Sequence, residues 1–258
     1  MTLVIAAAQS ASVPGDISEN LARHLQFCEI AAERGVGLLV FPELSLTGYE
    51  PTLARSRAIR PYGSCLRPVR NLAEKAHMTV VVGAPVLGRQ DQLHIAALAI
   101  CPDGSVLTYT KTHLHPGEEQ VFAPGLGGPM LSIGSVTVAL AICADTTHQQ
   151  HPASAAAQGA NIYAAGVLIT EDGYSRDSAQ LRHYARLHRM AVVMANHSAP
   201  TGGWVSAGRS AIWSEEGHLV AASRGTEEAL VIGRKRRGSW DGVVLPAPSF
   251  STATASQA

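Results

Sequence analysis

Short unbroken runs of apolar residues alternate along the chain with segments in which apolar residues recur every three or four positions. The first run covers residues 3–8, and the helical spacing of Leu21, Leu25 and Cys28 follows it. The predicted strands cover residues 3–8, 37–41, 79–83, 94–101, 105–110, 130–133, 136–142, 161–165, 191–196, 209–213, 218–222 and 229–233. The predicted helices cover residues 18–34, 64–77, 152–158 and 175–190. This alternation predicts an α/β protein with helices layered on sheets that are buried on both faces.

Two features refine this prediction. The strands 94–101 and 105–110 are joined across Asp103 and Gly104, a pair that favours a tight hairpin, so the sheet is predicted to be mixed. No linker or change of composition divides the chain before its end. We therefore expect a single domain over residues 1–240 and a C-terminal tail over residues 241–258, which is rich in Ser, Ala and Pro.

The composition of the chain argues against several classes of function. Hydrophobic residues make up 46% of the chain, and 20 basic residues balance 20 acidic ones, so no net field attracts nucleic acid or an anionic membrane. The basic run 234–237 is interpreted as a solvated strand exit. Residues 3–8 are too few and lack the basic flank of a signal peptide, and no apolar run reaches the ~20 residues of a membrane span. The four widely spaced cysteines favour a cytoplasmic location.

Four ionisable residues lie at or just beyond the ends of predicted strands, where side chains of α/β proteins gather into sites. They are Glu43, Lys111, Glu118 and Cys143. Taken alone, each of these residues also has a non-catalytic interpretation. Glu43 could be an exposed loop residue, and Cys143 could be a thiol that only packs in the core. The other three cysteines, Cys28, Cys65 and Cys101, are explained by packing. Pairs of histidines at 113 and 115 and at 148 and 151 lack further ligands at metal-site spacing, so no metal is expected.

Three motifs resemble the signatures of the nitrilase superfamily. Residues 41–49, FPELSLTGY, resemble the first, in which the glutamate is the general base. Residues 109–114, YTKTHL, followed by Glu118, resemble the second, which carries a lysine and a second glutamate. Residues 141–145, AICAD, resemble the third, which carries the cysteine nucleophile. Their order and separations match as well, and the similarity extends to residue 233.

The resemblance implies a reaction in which Cys143 attacks an amide carbon while Glu43 takes the thiol proton. Lys111 and the N–H of Ala144 would hold the developing oxyanion, and Glu118 would orient Lys111. Glu119 is the adjacent competitor, but Glu118 has the family spacing. No cofactor is implied. The expected reaction is hydrolysis of a small amide or N-carbamoyl compound through a thioester with release of ammonia.

The resemblance also implies a four-layer α-β-β-α sandwich with two mixed sheets, and a homodimer or larger homo-oligomer. Residues 144–148, ADTTH, depart from the bulky residue and nearby arginine that the superfamily often has after the cysteine, which predicts a roomier pocket without a guanidinium clamp. The alternatives are nitrile hydrolysis, thioester-based acyl transfer to an amine and a non-catalytic binding module. A papain-like cysteine-histidine enzyme would leave Glu43 and Lys111 unexplained.

Overall fold

The computed structural model describes residues 2–247. Over these residues the chain forms two β-sheets and five α-helices. The strands are β1 Thr2–Gln9, β2 Leu38–Val40, β3 Thr79–Leu87, β4 Leu93–Ile100, β5 Val106–Thr110, β6 Leu131–Ile133, β7 Val136–Ile142, β8 Ile162–Val167, β9 Ala191–Asn196, β10 Ala211–Trp213, β11 Leu219–Ala222, β12 Ala229–Arg236 and β13 Ser239–Pro246. The helices are α1 Ile17–Glu33, α2 Pro51–Ala54, α3 Arg67–Ala76, α4 Gln150–Ala157 and α5 Glu171–His188.

Both sheets are mixed, as the sequence predicts. The first has the strand order β13-β12-β1-β2-β3-β4-β5, and the second has the order β11-β10-β9-β8-β7-β6. In the first sheet β1, β2 and β3 are parallel, and in the second β7, β8 and β9 are parallel. The remaining pairs are antiparallel. The parallel strands at the centre of each sheet therefore point their carboxyl ends toward one edge, where sites form in α/β proteins.

The side chains of each strand alternate between two apolar layers. On β1, Ile5 and Ala7 point into the core between the two sheets, whereas Val4, Ala6 and Ala8 point toward helices α1 and α3. Helices α4 and α5 cover the outer face of the second sheet with residues such as Leu181. The result is the predicted α-β-β-α sandwich, in which burial on both faces explains the unbroken apolar runs.

The structure differs from the predicted tail at residues 241–246. These residues belong to β13, which pairs with β12 from Ser239 opposite Arg236 to Pro246 opposite Ala229. Trp240 packs against the core between the sheets. Gly242 lies so close to β11 that an added Cβ would come within 2.2 Å of the Val220 carbonyl oxygen. The rest of the predicted tail, apart from residue 247, lies outside the described residues.

Residues 2–247 lack two structural features. No helix in this part of the chain is long and apolar enough to cross a membrane. Within the same residues, no group of three or more His, Cys, Asp or Glu side chains is arranged to hold a metal ion.

Candidate active site

The four residues singled out from the sequence meet at one end of the sandwich. Glu43 follows β2, Lys111 follows β5 directly, Glu118 begins a short 3-10 turn, and Cys143 follows β7 directly. The segment that carries Glu43 is held between both sheets. A Cβ added at Gly83 on β3 would lie 2.3 Å from the Leu44 nitrogen, and one at Gly166 on β8 would lie 2.6 Å from the Phe41 carbonyl oxygen. Only glycine permits such close approach from either side.

Lys111 lies between the two glutamates. Its Nζ donates hydrogen bonds of 2.7 Å to Glu43 Oε1 and of 2.7 Å to Glu118 Oε1, and all three side chains are buried. Glu118 also accepts from the Tyr49 hydroxyl at 2.7 Å and from the His115 backbone N–H at 2.7 Å. A buried ion cluster persists only when its members are paired and hydrogen-bonded in this way. The cluster fixes the Lys111 ammonium in one place.

Glu43 is the less satisfied carboxylate. Its Oε2 is buried and has no hydrogen-bond partner among the described residues. Burial raises the pKa of Glu43 to about 7, although the nearby charge of Lys111 opposes the rise. A carboxyl group with this pKa can accept and return protons near neutral pH, as an acid-base catalyst must.

The ionisation of Lys111 and Cys143 follows from the same surroundings. Burial alone would lower the pKa of Lys111, but the negative charges around it, Glu43 first among them, outweigh burial and raise this pKa. The pKa of the Cys143 thiol is raised by burial and by the negative charge of Glu43. The resting site therefore holds a charged ammonium beside a protonated thiol.

Cys143 occupies a strained backbone position at the start of a 3-10 turn that covers Cys143–Thr147. Its φ of 41° lies in the left-handed region, which non-glycine residues rarely adopt and which is frequent at functional sites. The thiol donates to the Leu168 carbonyl oxygen at 3.6 Å and lies close enough to Glu43 to affect its pKa. The turn is stabilised from within, since Thr146 Oγ1 donates to the Cys143 carbonyl oxygen at 2.7 Å.

A cavity of about 140 Å³ opens in front of the thiol. The catalytic candidates that line it are Glu43, Glu118, Cys143 and Ala144. The rest of its wall is formed by Tyr49, His115, Thr146, Thr147, Leu168, Ile169, Thr170, Gly173, Arg176, Asp177 and Trp204. Drug-sized ligands need pockets of ~300–1,000 Å³, so a cavity of this size suits a small molecule.

One expectation about the pocket concerns a guanidinium group. The residues after Cys143 predict a pocket without a guanidinium clamp, and this stays a prediction, although Arg176 on α5 is among the residues of the wall. Its Nε donates to Asp177 Oδ1 at 2.8 Å, and its side chain is 75% exposed. The local sequence does not mark this residue, because helical periodicity on α5 does not say which side chain faces the cavity.

Two further residues near the site were given no role from the sequence. Tyr49 belongs to the first motif, and its bond to Glu118 depends on a turn whose path the sequence does not specify. His197, directly after β9, is completely buried, and its Nε2 lies 2.7 Å from the Glu43 carbonyl oxygen. Because a carbonyl only accepts, His197 must carry its proton on Nε2 and donate it there. Its place at a strand end is the signal that could have identified it.

The other cysteines and the histidines occupy different places. Cys28 is buried between α1 and the first sheet, and Cys65 packs at the edge of the same cluster. Cys101 is partly exposed at the end of β4, and all four cysteines are free thiols. Among residues 2–247, no histidine hydrogen-bonds the Cys143 thiol, so the site lacks the sulfur-imidazole contact of a papain-like enzyme. Glu119, the competitor of Glu118, is exposed.

The fold and site together define a class: α-β-β-α sandwiches that carry a thiol, two carboxylates and an ammonium at the carboxyl ends of their strands. Residues 4–242 match the family model for carbon-nitrogen hydrolases. The chain belongs to the carbon-nitrogen hydrolase family, within the nitrilase superfamily.

The chain is similar to several characterised members of the family. An (R)-stereoselective amidase of a Pseudomonas species is 28% identical over 186 residues, which are 72% of this chain and 63% of the amidase. The chain thus spans less than two thirds of that relative. A nitrilase of Pyrococcus abyssi is 26% identical over 82% of this chain and 81% of the nitrilase.

Solved structures of the amidase from Nesterenkonia sp. AN1 are also similar. One shows the Michael addition of acrylamide at the active-site cysteine; it has a TM-score of 0.81 and 27% identity over 89% of this chain and 92% of the amidase chain. Another is a cysteine-to-alanine mutant in complex with butyramide, with a TM-score of 0.81 and 26% identity over 95% of this chain and 91% of that one.

Proposed function

We propose that the protein is an amidase that hydrolyses the carbon-nitrogen bond of a small amide or N-carbamoyl compound through a thioester on Cys143. One observation carries the proposal: the Lys111 ammonium is held at 2.7 Å from two buried carboxylates, beside a thiol that lines a small cavity. Family membership and the similarity to amidases support it.

In the first step the Cys143 sulfur attacks the amide carbon and Glu43 takes the thiol proton, so a carbon-sulfur bond forms as the carbonyl π bond opens. Because the pKa of the thiol lies above that of Glu43, transfer is favourable only as the sulfur bonds to carbon. The oxygen gains the negative charge. Lys111 Nζ and the Ala144 N–H are the proposed donors that stabilise this charge in the transition state.

The tetrahedral intermediate then collapses. Glu43 returns its proton to the nitrogen, the carbon-nitrogen bond breaks, and ammonia leaves a thioester on Cys143. A water molecule then attacks the thioester carbon, and Glu43 accepts a proton from that water. The carbon-sulfur bond breaks, the acid leaves, and the proton held by Glu43 restores the thiol. One carboxyl group near pKa 7 thus serves both half-reactions.

Glu118 acts through Lys111 in this proposal. Its Oε1 bonds Nζ, while Tyr49 and the His115 N–H fix the carboxylate itself. The second negative charge keeps the ammonium protonated, since a buried lysine without such partners would lose its proton. We therefore propose that Lys111 stays a cation next to the position where the oxyanion develops.

The cavity supports short amides as substrates. Its volume of about 140 Å³ is below that of drug-sized sites, and the similar Nesterenkonia amidase is found with butyramide and with acrylamide. Nitriles are the second candidate, since one relative is a nitrilase and a thiol also adds to a nitrile carbon. Acyl transfer would share the thioester and differ only in the acceptor.

An ammonia-release assay over primary amides, N-carbamoyl compounds and nitriles tests the proposal. We expect release from short aliphatic amides, together with a mass increase equal to the acyl group on Cys143 when turnover is quenched. Cys143→Ala should abolish both, while Cys28→Ala, which alters a thiol far from the cavity, should leave an acylated enzyme. Turnover by Cys143→Ala near the wild-type rate would refute the assignment. If hydroxamate forms faster than the free acid in the presence of hydroxylamine, the result would favour acyl transfer to an amine over hydrolysis.

We further propose that the chain forms a homodimer or larger homo-oligomer in the cytoplasm. The resemblance to the superfamily, whose subunits usually pair through their helix layers, supports association, and Leu187 on α5 is an exposed apolar side chain of that layer. Four free cysteines support a reducing compartment. Light scattering coupled to size-exclusion chromatography tests the first proposal, and a monomer at micromolar concentration would contradict it.

A further inference from the structure

Asp145 is a completely buried carboxylate that the reaction steps above do not use. Its Oδ1 accepts hydrogen bonds from the backbone N–H groups of Thr112 at 3.1 Å and His113 at 2.9 Å, and from Thr112 Oγ1 at 2.6 Å. The His113 ring nitrogen Nδ1 lies 3.1 Å from the same oxygen. These donors belong to the segment that begins directly after Lys111. One oxygen of Asp145 therefore fixes the backbone that carries the ammonium.

The second oxygen fixes the backbone that carries the thiol. Oδ2 accepts from the backbone N–H of Ile142, the residue directly before Cys143, at 3.0 Å, and from the Tyr109 hydroxyl at 2.7 Å. Cys143 holds its left-handed φ of 41° in the turn that this bond closes. A single carboxylate thus joins β5 of the first sheet to β7 of the second.

A chain of hydrogen bonds leads to Asp145 from the outer helix layer. Tyr109 has one hydroxyl proton, and it donates that proton to Asp145, which has none to give. The contact of 2.7 Å between the Tyr109 oxygen and His151 Nε2 must then be an Nε2–H donation to Tyr109. This leaves His151 Nδ1 as an acceptor for the Tyr163 hydroxyl, 2.8 Å away.

Every proton in this relay points the same way, from Tyr163 through His151 and Tyr109 to Asp145. Aligned hydrogen bonds polarise one another, and a charged acceptor at the end strengthens them. Burial lowers the pKa of His151, which agrees with the neutral ring that the relay requires. For Asp145, the bonds from Thr112 and other donors outweigh burial and lower the pKa, so the carboxylate is ionised.

We propose that Asp145, oriented by the Tyr163–His151–Tyr109 relay, is a positioning residue that sets the distance between the Cys143 thiol and the Lys111 ammonium. The carboxylate holds the backbone N–H of a residue adjacent to each of them, Thr112 after Lys111 and Ile142 before Cys143, and the relay prevents it from rotating. This inference rests on the proposed function for its effect on turnover. Its effect on the reactivity of the thiol can be measured without any amide substrate.

The test compares Asp145→Asn and Tyr109→Phe with the exposed control variants Asp103→Asn and Tyr62→Phe. An asparagine offers one acceptor oxygen and turns an N–H₂ group toward donors on its other side, whereas phenylalanine removes a single donor to Asp145. We expect kcat for a short amide to fall about a hundredfold in Asp145→Asn and about tenfold in Tyr109→Phe, with KM changed by less than threefold. The controls should match the wild type.

The rate constant for alkylation of Cys143 by iodoacetamide, followed by mass spectrometry, provides the second readout. We expect this rate to change in the same order, Asp145→Asn more than Tyr109→Phe, at temperatures well below the Tm of each variant. If Asp145→Asn does not fold, the kcat and the alkylation rate of Tyr109→Phe test the inference instead. Folded variants with wild-type kcat and alkylation rates would overturn the inference. A wild-type enzyme that turns over no amide would refute the proposed function while leaving the alkylation test intact.

Discussion

Replacing Lys111 by methionine removes the ammonium while keeping a side chain of similar length in a buried position. The two carboxylate oxygens that now bond Nζ lie no more than twice 2.7 Å, or about 5.4 Å, apart. At an effective dielectric constant of ~20, two negative charges at this distance repel by about 3 kcal/mol. This energy favours protonation of one carboxyl about a hundredfold. Glu43, whose pKa is already about 7, is the group that we expect to take the proton.

Lys111→Met therefore has two effects on the proposed reaction. It removes a donor to the oxyanion, a loss that typically costs ~10²–10³ in kcat. It also neutralises the base at neutral pH, because Glu43 loses the positive charge that lowers its pKa. We expect kcat/KM at pH 7 to fall by at least about 10³, and the acidic limb of the remaining activity to move to higher pH.

The assay is ammonia release from a short amide between pH 5 and 10, with circular dichroism to confirm folding at each pH. Lys75→Met on α3, which lies outside the site, is the matched control and should keep the wild-type profile. A folded Lys111→Met variant whose kcat/KM stays within tenfold of the wild type would show that the ammonium does not stabilise the transition state. An unshifted acidic limb would show that Lys111 does not control the ionisation of Glu43.

Three further predictions follow from the site. In the wild type, kcat/KM should rise with pH through about 7, because Glu43 must be ionised to act as the base and burial raises its pKa to about 7. A rise in kcat/KM centred near pH 4.5, the ordinary pKa of a glutamate, would contradict this role. His197→Phe should lower kcat about tenfold with little change in KM, since it removes the donor to the Glu43 carbonyl oxygen, and an unchanged kcat in a folded variant would refute the idea. Arg176→Gln should lower kcat/KM for amides that carry a carboxylate more than for butyramide, and equal ratios in a substrate panel would exclude Arg176 from substrate selection.

The periodicity of the chain was sufficient to predict the layers of this fold. Runs such as residues 3–8 and 138–142 are apolar at every position because both faces of each sheet are covered. The ends of elements were less predictable. The predicted strand ends at Gly83, but β3 continues to Leu87. Pro85 is tolerated because it lies beyond the end of β2, where β3 has a strand on one side only.

The sequence predicts some residues of the site and not others. Glu43, Lys111, Glu118 and Cys143 stand at strand ends and in motifs, so local sequence points to them. Arg176 and His197 reach the site through tertiary packing from distant elements; the immediate sequence does not mark Arg176, and His197 is marked only by its place directly after β9. The strand β13 was missed for a related reason. The Ser, Ala and Pro residues that are frequent over 238–258 suggest a tail, whereas the close approach to β11 that Gly242 permits is visible only in the folded structure.

The ionisation of the site is consistent with the proposed role of Cys143 as a nucleophile that has no histidine partner. An imidazolium beside a thiol would stabilise the thiolate before substrate binds. Here burial and Glu43 raise the pKa of the Cys143 thiol, and the positive charge of Lys111 is shared by two carboxylates. In the proposed reaction the sulfur therefore stays protonated until its attack on carbon makes the proton acidic enough for Glu43 to accept. Because that attack would transfer negative charge to the substrate oxygen, we expect the Lys111 ammonium to interact more strongly with the transition state than with the resting enzyme, and that difference would lower the barrier.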